Sequence, residues 1–227
     1  MSATSCSLCR FWSSSIGKKF VVAITGLVLV GFLAGHLSGN LLMYVGAEAF
    51  NEYAYFLHHM LHGAGVWIAR IVLLTSLVLH VVATIQLTKA NRTAKVSRYQ
   101  CDATVQASKS SRMMIWSGLT ILAFVVFHIL HYTVRVDSDL AALADAGNQY
   151  QMVIVGFQNI LVSVFYIIAI SLLCSHLSHG FSSIFQTLGL RTQKNAGLID
   201  AIAKIYTIVI WVGFVSIPVA ILCGFIK

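Results

Sequence analysis

The stretch FVVAITGLVLVGFLAGHLSGNLLM, running from Phe20 to Met43, carries no charged side chain and follows directly on Lys18 and Lys19. A bilayer core about 30 Å thick is crossed by about 20 apolar helical residues, so this stretch predicts a transmembrane helix. It is too long for a signal-peptide core and lacks a small-residue cleavage pattern, so it reads as a retained span. Four further stretches behave alike: Ile71 to Thr88, Met113 to Val134, Met152 to Ser178 and Ile205 to Ile226. The second is short and is expected to begin near Gly65, with Arg70 inside it. Each run is far longer than the roughly 11 residues of a transmembrane β-strand.

Composition agrees. Of 227 residues, 58% are hydrophobic and 10% charged, with one proline and a mean hydropathy of +0.85. Soluble domains carry roughly a quarter charged residues, so a cytosolic fold is excluded. Five cysteines form no dense disulfide framework. Low-complexity, disordered and collagen-like readings fail on the apolar content. No linker or convincing internal repeat stands out, and residues 1–227 read as one all-α membrane domain of five transmembrane helices.

The net charge of +8 is unevenly placed. Arg10, Lys18 and Lys19 precede the first span. Lys89, Arg92, Lys95, Arg98, Lys109 and Arg112 lie between the second and third, and Arg191, Lys194 and Lys204 between the fourth and fifth. The opposite side holds Arg135 and Lys227 together with Glu48, Glu52, Asp137, Asp139 and Asp145. Basic loops stay inside, so the N-terminus is expected in the cytoplasm and the C-terminus outside. The charge then reflects topology, with anionic lipid or a cytoplasmic partner as its complement. No nucleic-acid partner is expected, because the basic residues follow the membrane edges without a motif.

Four spans each carry a histidine in apolar surroundings: His36, His80, His128 and His176. Ionisable groups in lipid are expensive and by default functional. At 1.5 Å per residue, His36 lies about 25 Å beyond Lys19 and His128 about 24 Å beyond Arg112, both towards the outer side. His80 lies about 13 Å from Lys89, and His176 comes late in a helix that returns inward. The arithmetic predicts two stacked pairs, His36 with His128 and His80 with His176. Two histidines from facing helices at one level suit a six-coordinate haem iron. Zinc would ask for four ligands at one point, and copper for a methionine and cysteine set that is missing. Two b-type haems are the economical reading. His131 and His179 are rival ligands one turn further on, with His131 closer to the interface.

Weaker signals surround these. Gly31, Gly35 and Gly39 give small-residue steps around His36, read either as close helix packing or as room for a porphyrin. Arg70 reads either as a counter-ion for a haem propionate, with Lys19 and Arg112 as further candidates, or as an arginine snorkelling to lipid headgroups. The first outer connection holds Glu48, Glu52, Tyr53, Tyr55, His58, His59 and His62, read either as groups that could take protons from a quinol or as an amphipathic interfacial helix with aromatic and imidazole anchors. On a helix His58 and His62 would share a face. Cys6 and Cys9 form a lone CxxC with no histidine after it, which excludes covalent c-type haem attachment.

Several short motifs in order carry a resemblance. They are Ser14-Ser15-Ile16-Gly17-Lys18-Lys19, Gly35-His36-Leu37-Ser38-Gly39-Asn40 and Gly46-Ala47-Glu48-Ala49-Phe50-Asn51, then Leu79-His80, Phe127-His128 and His176 with Gly180. Together the chain resembles the five-helix dihaem cytochrome b subunit of succinate dehydrogenase and fumarate reductase. The resemblance implies axial ligation by the four histidines and two cytoplasmic partners, a flavoprotein and an iron–sulfur protein. It also implies electron transfer to or from a quinone, menaquinone, in the cytoplasmic membrane. The chain itself has no dinucleotide fingerprint and no iron–sulfur cysteine run, so dicarboxylate chemistry would occur on the partners. Some members carry a proton-conducting glutamate where this chain has Cys174. An outer acid serves quinol oxidation in some members, for which Glu52, then Glu48, is the candidate. The competing readings are a dihaem cytochrome of a hydrogenase, formate dehydrogenase or nitrate reductase, and a haem-free transporter or anchor. The latter would favour broken helices at mid-membrane, whereas the sole proline, Pro218, lies in the span without histidine.

Overall fold

A computed structural model describes residues 7–94 and 109–227. Cys6, Lys95, Arg98 and Cys101 lie outside the described residues, as do the side chains of Lys109 and Arg112. The described chain is helical, with no strand among those residues. A short α1 (Ser7–Ser13) leads into α2 (Ser15–Asn40), followed by α3 (Ala47–His59) and α4 (Ala64–Thr93). Then come α5 (Lys109–His128), continued by a π-helical segment (Ile129–Val134), α6 (Ser138–Asp145) and α7 (Gln149–Gln158). Finally α8 (Ile160–Thr187) and α9 (Ala196–Leu222) complete the bundle.

Five of these elements are long and apolar enough to cross a membrane: α2 with its 3-10 extension, α4, α5 with the π segment, α8 and α9. The protein is therefore a multi-pass membrane protein. Its outer surface has the character that lipid requires, with Leu161 78% exposed, Ile71 62% and Leu119 58%. In water such a surface would be an aggregation liability; in hydrocarbon it costs nothing.

Two span boundaries differ from those the hydropathy suggests. The apolar run from Met152 is broken at Asn159, whose backbone is extended and whose side-chain oxygen accepts from the Leu161 and Val162 amides. Asparagine in that role starts a helix, so residues 149–158 form the separate α7 and the fourth span moves on to Ile160–Thr187. The fifth span starts at Ala196, nine residues before Ile205. The charges of Asp200 and Lys204 that masked its start lie in its first turns, and Asp200 is tied there to Arg191 at 2.8 Å. The second span does begin next to Gly65 and contains Arg70.

Helices α2 and α8 occupy the centre. Helix α4 packs on α2, α5 packs on α8, and α9 packs on α8 and more lightly on α2. Two cross-links pin α9 within the bilayer: the Tyr206 hydroxyl donates to the Val30 carbonyl at 2.6 Å, and Trp211 Nε1 donates to Ser171 Oγ at 2.9 Å. At Gly213 a Cβ would come within 2.6 Å of Leu37 Cδ1, and Leu37 is buried beside His36. Overpacking of this kind costs about 1–3 kcal/mol. Gly213→Ala is therefore expected to lower the thermal unfolding midpoint in detergent, and an unchanged midpoint would show that α9 yields at this contact.

Candidate functional site

Thr25, Asn40, Ser117 and Tyr166 converge on four histidines inside the bundle. His36 on α2 and His128 on α5 have ring centroids 5.8 Å apart with planes at 78°. Their backbones do not pack closely, since α2 and α5 each lean on other helices, so the two side chains reach across a gap. Phe32, stacked on His36 at 5.2 Å, Phe214 at 5.6 Å and Phe124, 5.9 Å from His128, wall it. His80 stands on α4 and His176 on α8, each against a hydroxyl of a neighbouring helix. All four imidazoles are half-buried.

One nitrogen of each ring is already engaged. Nδ1 of His80 lies 3.2 Å from Thr25 Oγ1, and Nδ1 of His176 lies 3.1 Å from Ser117 Oγ. Nδ1 of His128 lies 3.2 Å from the Tyr166 hydroxyl, and Nδ1 of His36 lies 3.4 Å from Asn40 Nδ2. No hydrogen bond to Nε2 of these four rings occurs among the described residues. At His80, His128 and His176 the neighbour of Nδ1 is a hydroxyl oxygen, and a ring with its Nδ1 held and its Nε2 free is how histidine presents itself to a metal; at His36 the neighbour is an amide nitrogen that donates to the His36 carbonyl at 2.7 Å.

The arrangement fits a bis-histidine iron. An atom bound between two imidazoles, at about 2 Å from each nitrogen, sets ring centres roughly 6 Å apart, the separation seen for His36 and His128. The surrounding glycines fit a flat macrocycle. Gly31 and Gly35, on the helix that carries His36, have open space where a Cβ would stand. A Cβ at Gly26 would press on Cε1 of His80 at 3.4 Å, and one at Gly118 on Cε1 of His176 at 3.5 Å. Of the three glycines around His36, only Gly39 belongs to a close contact, its missing Cβ being filled by the ring of Tyr53. The described residues hold no group of three or more His, Cys, Asp or Glu that could bind an ion such as zinc.

The rival histidines are placed as follows. His131 lies in the π segment and shares the Tyr166 hydroxyl with His128, its Nδ1 being 3.1 Å away. The wider π turn, a feature that clusters at functional sites, carries Tyr132 as well, whose buried hydroxyl has no partner among the described residues. His179 sits one turn past His176 with Ser183 Oγ 3.3 Å from its Nε2.

The connection between α2 and α4 is fixed across one end of the bundle. Asn51 on α3 accepts from the Tyr150 amide at 2.8 Å and donates to Asn148 at 3.4 Å, joining α3 to α7. This places Glu48 and Glu52 on an exposed face of α3, beside Tyr53 and its contact with α2. His62 does not share a helical face with His58. Helix α3 ends at His59, and Leu61, His62 and Gly63 all adopt positive φ, at 53°, 56° and 86°. That left-handed turn redirects the chain into α4, and glycine relieves it only at its last position. Of the cationic candidates, Arg70 stacks over Trp67 at 5.0 Å. Lys19 is exposed and lines a cleft of about 450 Å³ with Ser183 and Gln186 at the opposite end of the bundle. Arg112 lies where side chains are not described. Cys174 is buried in the core beneath Tyr206 and α9, and Cys9 is exposed and free.

Thr25, Ser117, Tyr166 and Asn40 went unread in the sequence. A signal for two of them is there. Thr25-Gly26 stands eleven residues before His36, and Ser117-Gly118 eleven before His128, a short repeat that the varied apolar residues around it conceal. No protein-family model, curated protein or solved structure matches this chain. Removing the Tyr166 hydroxyl would strip a partner from His128 and His131 together. Buried polar groups left unmatched cost about 1–3 kcal/mol, so Tyr166→Phe should unfold at lower temperature than the parent in detergent, and equal stability would mean that neither ring depends on it.

Proposed function

We propose that this chain is the dihaem cytochrome b anchor of a succinate:quinone oxidoreductase or quinol:fumarate reductase in the cytoplasmic membrane. The observation that supports the reading is the approach of His36 and His128 to 5.8 Å from two helices, with hydroxyls of neighbouring helices at Nδ1 of His80, His128 and His176. The resemblance of the ordered sequence motifs supports the same assignment. Two b haems, when bound, supply a one-electron path along the membrane normal.

The chain's own residues hold and insulate that path. His36 and His128 would hold the haem iron on the outer side, and His80 and His176 the iron on the inner side. Phe32, Phe124 and Phe214 keep water from the outer pair. Low polarity around an axial ligand is one of the protein's means of setting a potential. Arg70 and Lys19 lie on the two sides of the bundle as cations for propionates. On α3, Glu52 and Glu48 would accept the protons that menaquinol releases on oxidation, with His62 in the adjoining turn. Succinate and fumarate would be handled by a flavoprotein and an iron–sulfur protein docked on the basic cytoplasmic face, where Lys89, Arg92, Arg191 and Lys194 stand.

Haem content tests the reading directly. A pyridine haemochrome assay on purified protein should give two b haems per chain. His36→Ala or His128→Ala should remove one, and His80→Ala or His176→Ala the other. A chain that binds none would end the proposal, and one haem would break the pairing. Orientation is tested separately. Reporter fusions should place the N-terminus and the connection after α4 in the cytoplasm and the C-terminus outside; the reverse would leave the basic loops without a partner side.

A further inference from the structure

We infer that Thr25 and Ser117 are positioning residues for the inner pair, each holding its histidine in the tautomer that leaves Nε2 as the lone-pair nitrogen. The inference rests on the dihaem reading above and adds to it two residues from helices that do not themselves carry the inner ligands.

The geometry follows from where each hydroxyl proton goes. Thr25 Oγ1 lies 2.6 Å from the Val21 carbonyl and 3.2 Å from that of Val22, so its single proton is donated to its own helix. Ser117 does the same with Met113 at 3.0 Å and Met114 at 3.2 Å. A hydroxyl whose proton is committed can only accept in its remaining contact. Nδ1–H of His80 therefore donates to Thr25, and Nδ1–H of His176 donates to Ser117, with the Val22 and Met114 carbonyls as further acceptors beside the respective rings. With the proton on Nδ1, Nε2 is the nitrogen free to bind a metal. Thr25 and Ser117 are each only 7% exposed, two of four buried polar side chains among the described residues, so water does not replace them.

The device occurs twice with the same parts. Each hydroxyl is followed by a glycine, Gly26 or Gly118, that faces Cε1 of the same histidine. Each hydroxyl–glycine pair sits eleven residues before the outer ligand of its own helix. Helices α2 and α5 thus each carry an outer ligand and, three turns earlier, the support for an inner ligand on the neighbour, α4 or α8. One rigid helix ties the two levels together, so the spacing of the pairs is set by a helical rise of about 1.5 Å per residue.

A hydrogen bond from Nδ1–H makes the opposite nitrogen a stronger donor to metal, which favours the oxidised iron. Redox titration of the full-length protein, monitored by haem absorbance and by EPR, reads this out. The inner haem is assigned as the one that His80→Ala removes. Thr25→Val and Ser117→Ala should each raise the midpoint potential of the inner haem, alter its low-spin EPR signal and leave the outer haem unmoved. Thr25→Ser and Ser117→Thr, which keep the hydroxyl, should behave as the parent. If the hydroxyl-free variants lose the inner haem while the conservative pair retains it, the inference also stands. It falls if the hydroxyl-free variants leave both potentials unchanged or shift both haems equally, or if the conservative variants lose the haem too. A parent protein without haem would overturn the dihaem reading itself, and is recognised before any variant is made.

Discussion

An imidazole placed in hydrocarbon needs partners for both ring nitrogens, because no water is at hand to supply them. This requirement organises the bundle. The chain carries such rings on four spans, and in each the Nδ1 side is met by a residue of the protein. Three of the four partners come from another helix, so helix order and rotation are coupled to the satisfaction of these rings. The remaining nitrogen of each ring is the functional residue of the constraint. Where a soluble protein would leave it to solvent, a membrane protein has to offer it to a ligand or to another buried group.

Packing follows from the same constraint. Helix α2 carries Thr25 towards α4 and His36 towards α5, and therefore lies between them while packing on α8 as well. Helix α5 carries Ser117 towards α8. Apolar burial adds little in lipid, where surrounding tails are as apolar as leucine. Specific contacts carry more of the weight: Leu37 against Gly213, Tyr53 against Gly39, and the Tyr206 hydroxyl on the Val30 carbonyl. Each individual hydrogen bond in such a bundle contributes on the order of 0.6 kcal/mol, so the fold depends on many of them acting together.

The candidate site was partly legible in the chain. Length and charge asymmetry located five spans, and depth arithmetic put His36 level with His128, the two rings the structure brings within 5.8 Å. Three features escaped. Asn159 sits inside an apolar run, and a cap there depends on one side-chain oxygen rather than on hydropathy. The Leu61–His62 turn takes positive φ at residues that seldom adopt it, so no local preference announced that His58 and His62 part company. The hydroxyl–glycine pairs were hidden because two residues recurring once do not rise above a background of interchangeable aliphatic side chains.

The amino-acid sequence by itself determined that this protein has five stretches apolar and long enough to cross a membrane, since about twenty predominantly apolar residues match the bilayer core. It also determined that histidines lie at two depths, because depth along a helix is a count of residues. Only the tertiary structure decided which face of each helix looks inward and which helix stands beside it. Thr25 meets His80 across 55 residues of chain, and Ser117 meets His176 across 59. Such pairings depend on rotation about the helix axis, to which a uniformly apolar span gives no direction, so they were settled by the side chains that had to find one another.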